Sequence, residues 1–244
     1  MIINGGNLQG GFYQDRLRYP TDGLQLCLDS ANPDSYSGTG TTWYDISGQG
    51  YQAEIFAGMT YSADNGGIFN FNGSATAYGQ IGSGFGYDYS AGITINVWAK
   101  FTTVVADWER LIDFGNGAGG PTGYNLIICR QWDTSEVNTT VDAVNADSLN
   151  PGRMPITWDG WAMYTLYADG TYWKQYKNGQ FYSYQSNTSL PATVTRNLNY
   201  IGKSNWGADA YYTGSMSVIQ LYNRALSEPE ITQCYDYFKG RYGL

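Results

Sequence analysis

Apolar and polar residues alternate along I-T-I-N-V-W-A-K-F. Ile93, Ile95, Val97, Ala99 and Phe101 fall on one side, and Thr94, Asn96, Trp98 and Lys100 on the other. That period of two predicts a strand with one buried face. Leu24, Leu26 and Leu28 against Gln25, Cys27 and Asp29 repeat the pattern, so residues 24–29 also read as a strand. Further β-prone stretches cover residues 68–72, 77–81, 110–114, 124–130, 161–168, 171–186, 197–202 and 215–222. Asn178-Gly179 interrupts the longest of these with the two-residue turn that matches hairpin twist, making the flanking strands antiparallel neighbours.

The helical period appears once, at the end of the chain. Ile231, Cys234, Tyr235 and Phe238 form a single apolar stripe. Ser227 opens that helix as N-cap, and Glu230 completes a capping box with it. Leu226 and Ile231 form the hydrophobic staple, and Pro229 sits in the first turn, where its missing N–H costs nothing. Lys239 suits the negative end of the dipole, and Gly240 is placed to end the helix in a left-handed conformation. Such a helix is expected to cover the open end of a sandwich.

Between these elements lie two long polar stretches. Residues 30–50 read as a loop anchored by Trp43. Residues 134–152, flanked by Trp132 and Trp158, read as a surface loop or, alternatively, as a ligand-contacting one. Residues 1–22 lack periodicity. They are either a loose leader or an arm whose Phe12, Tyr13 and Tyr19 dock on a neighbouring subunit. Residues 23–244 form one domain: many short antiparallel strands with Gly and Asn turns and no βαβ alternation, an all-β sandwich of two antiparallel sheets with one short C-terminal helix.

Composition narrows the function. The net charge of −8 argues against nucleic acid, which needs clustered Lys and Arg. No apolar run reaches membrane-spanning length, and residues 1–13 lack a charged-then-apolar leader pattern. Cys27, Cys129 and Cys234 are an odd, widely spaced set in apolar surroundings and read as buried thiols. There is no histidine, which removes Ser-His-Asp and Cys-His nucleophile systems and His-based metal centres. Glycoside hydrolysis needs two carboxylates flanking one bond. Glu228 and Glu230 belong to the helix cap, and most aspartates stand in turns, so the chain reads as a non-enzyme. Aromatics make up 16% of the chain. Most must be core, and Trp98, Trp132 and Trp206 are the candidate exposed platforms for stacking on sugars or proteins.

The stretch G-L-Q-L-C-L-D-S-A-N-P-D-S-Y-S-G-T-G-T-T-W-Y-D-I-S-G-Q-G resembles the opening of laminin-G-like domains of the concanavalin A-like lectin/glucanase superfamily, in the version seen in bacteriophage structural proteins. N-G-G-I-F-N-F-N-G-S, L-I-D-F-G-N-G, Y-I-G-K-S-N-W, V-I-Q-L-Y-N-R-A-L-S and the closing E-I-T-Q-C-Y-D-Y-F-K-G-R-Y-G-L follow in the family's order. The resemblance implies a concanavalin A-like jelly roll used for glycan or protein binding. Where relatives carry aspartates, this chain has Ala75, Thr76 and Ala77 after Phe71-Asn72-Gly73, and Ser217 on the last strand. The calcium of some relatives is therefore not expected. The glucanase branch's E-x-D-x-x-E strand is absent.

The resulting expectation is a non-enzymatic virion structural protein, a capsid, tail or fibre decoration or attachment domain, contacting other virion proteins through its arm and host-surface glycans through its aromatics. It would be oligomeric or assembly-bound, with no cofactor and no membrane insertion. The alternative is a bacterial carbohydrate-binding module or cell-surface adhesin. A glycan-cleaving enzyme using aspartates is the third reading.

Overall fold

The computed structural model describes residues 18–82, 84–102, 107–118, 124–141 and 151–244. In chain order the strands of the first half are β1 (Leu24–Asp29), β2 (Thr42–Tyr44), β3 (Gln52–Ile55), β4 (Met59–Ser62), β5 (Ile68–Asn72), β6 (Gly79–Ile81), β7 (Ile93–Phe101) and β8 (Arg110–Gly115). Those of the second half are β9 (Leu126–Arg130), β10 (Glu136–Val141), β11 (Met154–Pro155), β12 (Ala162–Ala168), β13 (Tyr172–Lys177), β14 (Gln180–Ser186), β15 (Leu198–Ile201) and β16 (Thr213–Tyr222). One helix, α1 (Glu228–Phe238), follows.

The strands form two antiparallel sheets. The first runs β14-β13-β12-β7-β16-β5-β4, and the second β11-β10-β9-β8-β15-β6-β3-β2. The long strand β16 organises the first sheet: one edge pairs with β7, while the other pairs with β5 through Thr213–Met216 and with β1 through Val218–Tyr222.

Inward faces of both sheets make the main core. Ile93, Ile95, Val97, Ala99 and Phe101 of β7 meet Ile112, Phe114, Leu126 and Ile128 of the second sheet. Each of the larger side chains here, fully buried, contributes roughly 1.5–3 kcal/mol of transfer free energy.

The opposite face of the first sheet carries a second, smaller core. Cys27, Trp98, Met163, Tyr176, Val218 and Tyr222 point away from the sandwich and are buried against Ile231, Cys234 and Phe238 of α1. The helix thus covers an outer sheet face and not the open end of the sandwich. Its capping box forms, with the Ser227 N–H donating to the Glu230 carboxylate at 2.8 Å. Its C-terminus differs from the sequence expectation. Gly240 continues into a 3₁₀ turn (Lys239–Tyr242), and Gly243 takes the left-handed position at φ 71°.

Asn178 and Gly179 both have positive φ, the turn expected between β13 and β14. Within the stretch read as a loop over residues 134–152, Glu136–Val141 is instead the buried strand β10, and residues 142–150 lie outside the described residues. The loop read over residues 30–50 contains β2, and Trp43 within it is wholly buried. Among the described residues no helix is long and apolar enough to cross a membrane.

Candidate functional site

Strand β8 begins just after Trp108 and β9 ends just before Trp132. The two strands are antiparallel, with Arg110 opposite Cys129, so both tryptophans emerge at one end of the second sheet, on its outward side. Both have left-handed backbones, with φ 62° at Trp108 and 50° at Trp132. Large side chains rarely take this region, and each such residue costs on the order of 1–3 kcal/mol. The strain brings the indoles together, centroids 5.1 Å apart and planes tilted by 50°. Trp132 remains 46% exposed, a flat apolar face open to solvent.

Arg110 is the foundation of this platform. Its guanidinium lies 5.6 Å from the Trp108 ring and 5.4 Å from the Trp206 ring, while Trp108 and Trp206 also pack on Ile127 and Cys129. One guanidinium nitrogen donates to Asp209 at 2.7 Å, another to the Trp108 carbonyl at 2.7 Å, and Nε stands 3.6 Å from Asp113. Asp113 is sealed beneath, accepting from the Asn125 amide at 2.7 Å, the Asn205 N–H at 2.9 Å and the Asn205 amide at 2.8 Å. Burial holds its carboxyl above the usual aspartate range, opposed by Arg110 and these donors. The Ser204 hydroxyl donates to Asp209 at 2.7 Å and accepts the Trp206 N–H at 3.0 Å, which ties the third tryptophan to the same network.

A second buried pair lies next to this one. Arg130 Nε stands 3.2 Å from Glu109, both side chains fully buried, and Glu109 also accepts the Thr213 N–H at 3.0 Å. Burial pushes the Glu109 carboxyl up to about 7, against the pull of Arg130. Farther along the face, Lys203 stands 4.2 Å from both the Tyr78 and Tyr200 rings, and Phe56 stacks on Tyr78 at 4.1 Å.

The carboxylates beneath the tryptophans are occupied in positioning Arg110 and the 203–211 loop.

Two of the three tryptophans singled out in the sequence, Trp132 and Trp206, come together here. Trp98 does not. It is wholly buried on the other sheet, stacked between Tyr235 at 5.5 Å and Tyr242 at 4.5 Å, because α1 and the turn after it roof the face that alternation alone left open. Tyr19 packs on its own chain, edge-on to Tyr237 at 5.0 Å and stacked on Phe238 at 5.6 Å, and is half-buried there. Phe12 and Tyr13 lie outside the described residues. Trp108 and Arg110 were not evident from the sequence; the only available signal was an aromatic and an arginine two residues apart at the start of a strand.

The cysteines are buried and unbridged, and burial pushes the Cys27 and Cys234 thiols up to about 12 and Cys129 to about 11. Among the described residues no group of three or more Cys, Asp or Glu could hold a metal ion.

Residues 72–232 match the family described as the concanavalin A-like lectin/glucanases superfamily. No curated protein matches the chain. Among solved structures it is similar to a Trypanosoma rangeli sialidase in complex with 2,3-difluorosialic acid (TM-score 0.64, 17% identity, 89% of this chain and 33% of that one). It is also similar to the botulinum neurotoxin serotype G binding domain (TM-score 0.67, 15% identity, 87% of this chain and 50% of that one). The chain thus spans about a third of the sialidase and half of the toxin domain. At these identities the likeness is one of fold.

Proposed function

The chain belongs to the concanavalin A-like lectin/glucanases superfamily, and from that premise we propose that it is a non-catalytic carbohydrate-binding domain that uses Trp132 as its stacking platform. The observation that carries this reading is the pair Trp108 and Trp132, two bulky aromatics held at positive φ with their rings in contact at the surface. A fold keeps such strain where a side chain must point somewhere particular. An indole presents the broad apolar face that a sugar ring's C–H side covers, and hydroxyls on the sugar's other side stay in water. Arg110, fixed by Asp209 and Asp113, holds the Trp108 ring on which Trp132 leans, so that little ordering remains to oppose binding.

The setting we propose is a virus particle, with the domain displayed as capsid, tail or fibre decoration. The version of the motifs in residues 24–50 supports this. A particle-borne domain would work in many copies, and avidity would raise weak single-site affinity by orders of magnitude.

The test is a glycan array probed with the wild-type chain and with Trp132→Ala. Signals on a defined glycan set that vanish in the variant support the reading; an empty array, or signals equal in both, would overturn it. Mass spectrometry of purified particles tests the setting separately, and absence of the chain from them would end it.

A further inference from the structure

A second aromatic cluster lies on the other sheet, at its free edge. The hairpin β13–β14 presents Tyr172, Phe181 and Tyr184 on the sheet's outer side, 37%, 48% and 59% exposed. With Lys174 and with Glu228 from the first turn of α1 they line a surface pocket of about 240 Å³. Tyr172 and Tyr184 meet edge to face at 5.5 Å, and Phe181 inclines toward Tyr184 at 6.3 Å, so the aromatic walls are mutually supported. Lys174 faces the Tyr167 and Tyr172 rings at 5.2 and 5.7 Å, and the Glu228 carboxylate accepts from Tyr176 at 3.4 Å. None of these residues belongs to the tryptophan platform, which is built on the second sheet.

We propose that this pocket is a second, independent site for a single neutral sugar ring. Size comes first. The volume lies below the ~300–1,000 Å³ of pockets for drug-sized ligands. It equals the liquid share of about eight waters. That space suits one ring; a second surface pocket of about 560 Å³, lined by residues 185–188, shares Tyr172 with it.

Charge comes next. The walls are apolar rings and the rim holds one donor-only ammonium and one acceptor-only carboxylate. Neighbouring hydroxyls of a sugar serve both groups at once, accepting from Lys174 and donating to Glu228. An acidic sugar would gain at Lys174 what it loses at Glu228, an amino sugar the reverse, and either would bring a charge to be desolvated with no net attraction in return. The opposed pair therefore favours an uncharged polyol, with its C–H face on Tyr184 and Phe181.

The test uses the full chain and D-glucose, D-galactose, D-mannose and N-acetylglucosamine, with glucuronic acid and glucosamine as charged controls of the same ring. Binding is read by calorimetry or ligand-observed NMR in wild type, Tyr184→Ala and Trp132→Ala. At least one neutral sugar is expected to bind, to lose affinity at least tenfold in Tyr184→Ala, and to keep it within twofold in Trp132→Ala. The charged controls are expected to bind at least tenfold more weakly than the neutral ring. Tyr184 is exposed on an edge strand, so its truncation leaves the fold intact, and an unchanged thermal midpoint verifies this. The proposal is overturned if no neutral sugar binds, if Tyr184→Ala leaves affinity unchanged, or if a charged control binds best. Loss confined to Trp132→Ala would place all binding on the tryptophan platform and also overturn it. The reverse pattern, loss confined to Tyr184→Ala, upholds this site and counts against the platform.

Discussion

Trp98 lies face to face with Tyr235, ring centroids 5.5 Å apart and planes within 7° of parallel. The contact joins the outward face of a central strand to the C-terminal helix, and it closes the second core from both sides. Trp98→Ala is expected to destabilise the chain by about 3–5 kcal/mol, the range for removing a buried tryptophan and leaving its cavity. A urea unfolding series measures this. Glycan binding under folding conditions should be unchanged. Loss of binding with stability intact would return Trp98 to the ligand face.

Trp132 should behave in the opposite way. Its side chain is half in solvent and its backbone is in the left-handed region. Glycine adopts that region freely. Trp132→Gly is therefore expected to shift stability by no more than about 1 kcal/mol in either direction, relief of strain offsetting the lost contact with Trp108. Binding on the array should disappear. A variant that unfolds early yet still binds would mean the residue is structural.

Much of this architecture can be read from alternation and turn chemistry. The β7 face, the Asn178-Gly179 hairpin and the Ser227–Glu230 capping box each depend on residues close in sequence, where local rules decide the outcome. Elements that depend on distant partners were not legible. β2, β4 and β10 mix Thr, Ser, Asn and Tyr with few apolar residues, so their burial follows from neighbours, while β3 does alternate, Gln52 and Glu54 out and Ala53 and Ile55 in, but over only four residues. Gly240 and Gly243 are equivalent as stop signals. The later one is used because Arg241 reaches Asp29 at 2.6 Å and Tyr242 covers Trp98, which draws the chain on through another turn. At the candidate site, Trp132 and Trp206 were visible as tryptophans in polar surroundings. Trp108 was not, because only the pairing of β8 with β9 places it beside Trp132.

Arg224 and Glu230 make a two-pronged ion pair at 2.6 and 3.0 Å that ties the end of the last strand to the first turn of α1. The paired guanidinium, with the Ser227 N–H and hydroxyl, draws the Glu230 carboxyl from its usual 4.5 down to about 2. A depressed folded value means the stabilisation is present above about 4.5 and is lost as pH falls toward 2. Glu230→Gln is expected to cost about 1–2 kcal/mol near neutral pH, the helix cap and a partly exposed charged pair together. The cost should fade on acidification below pH 4. Denaturant midpoints of both chains at pH 3 and pH 6 check it; a constant difference would exclude the linkage.

Glu109 has the opposite sign. Its carboxyl is fully buried beside Arg130 and is pushed from 4.5 up to about 7. A folded value above the unfolded one means the folded chain takes up a proton between about pH 7 and 4.5 that the unfolded chain does not. Stability from this group is then fully present below about 4.5 and lost as pH rises through 7. The folded value is already net of the opposing pull of Arg130 and the Thr213 N–H, and a gain of about 1–3 kcal/mol on acidification is expected from it. The joint contribution of Glu109 and Glu230 is therefore largest on the acid side of neutrality, where Glu109 is protonated and Glu230 still ionised. Asp113 is raised by burial too and adds to the same trend, so the decisive quantity is the difference between wild type and Glu109→Gln. That difference should change by the stated amount between pH 5 and pH 8 in chemical denaturation. If it stays flat, Arg130 holds Glu109 ionised throughout, and the pair acts as a fixed support beside the tryptophan platform with no response to pH.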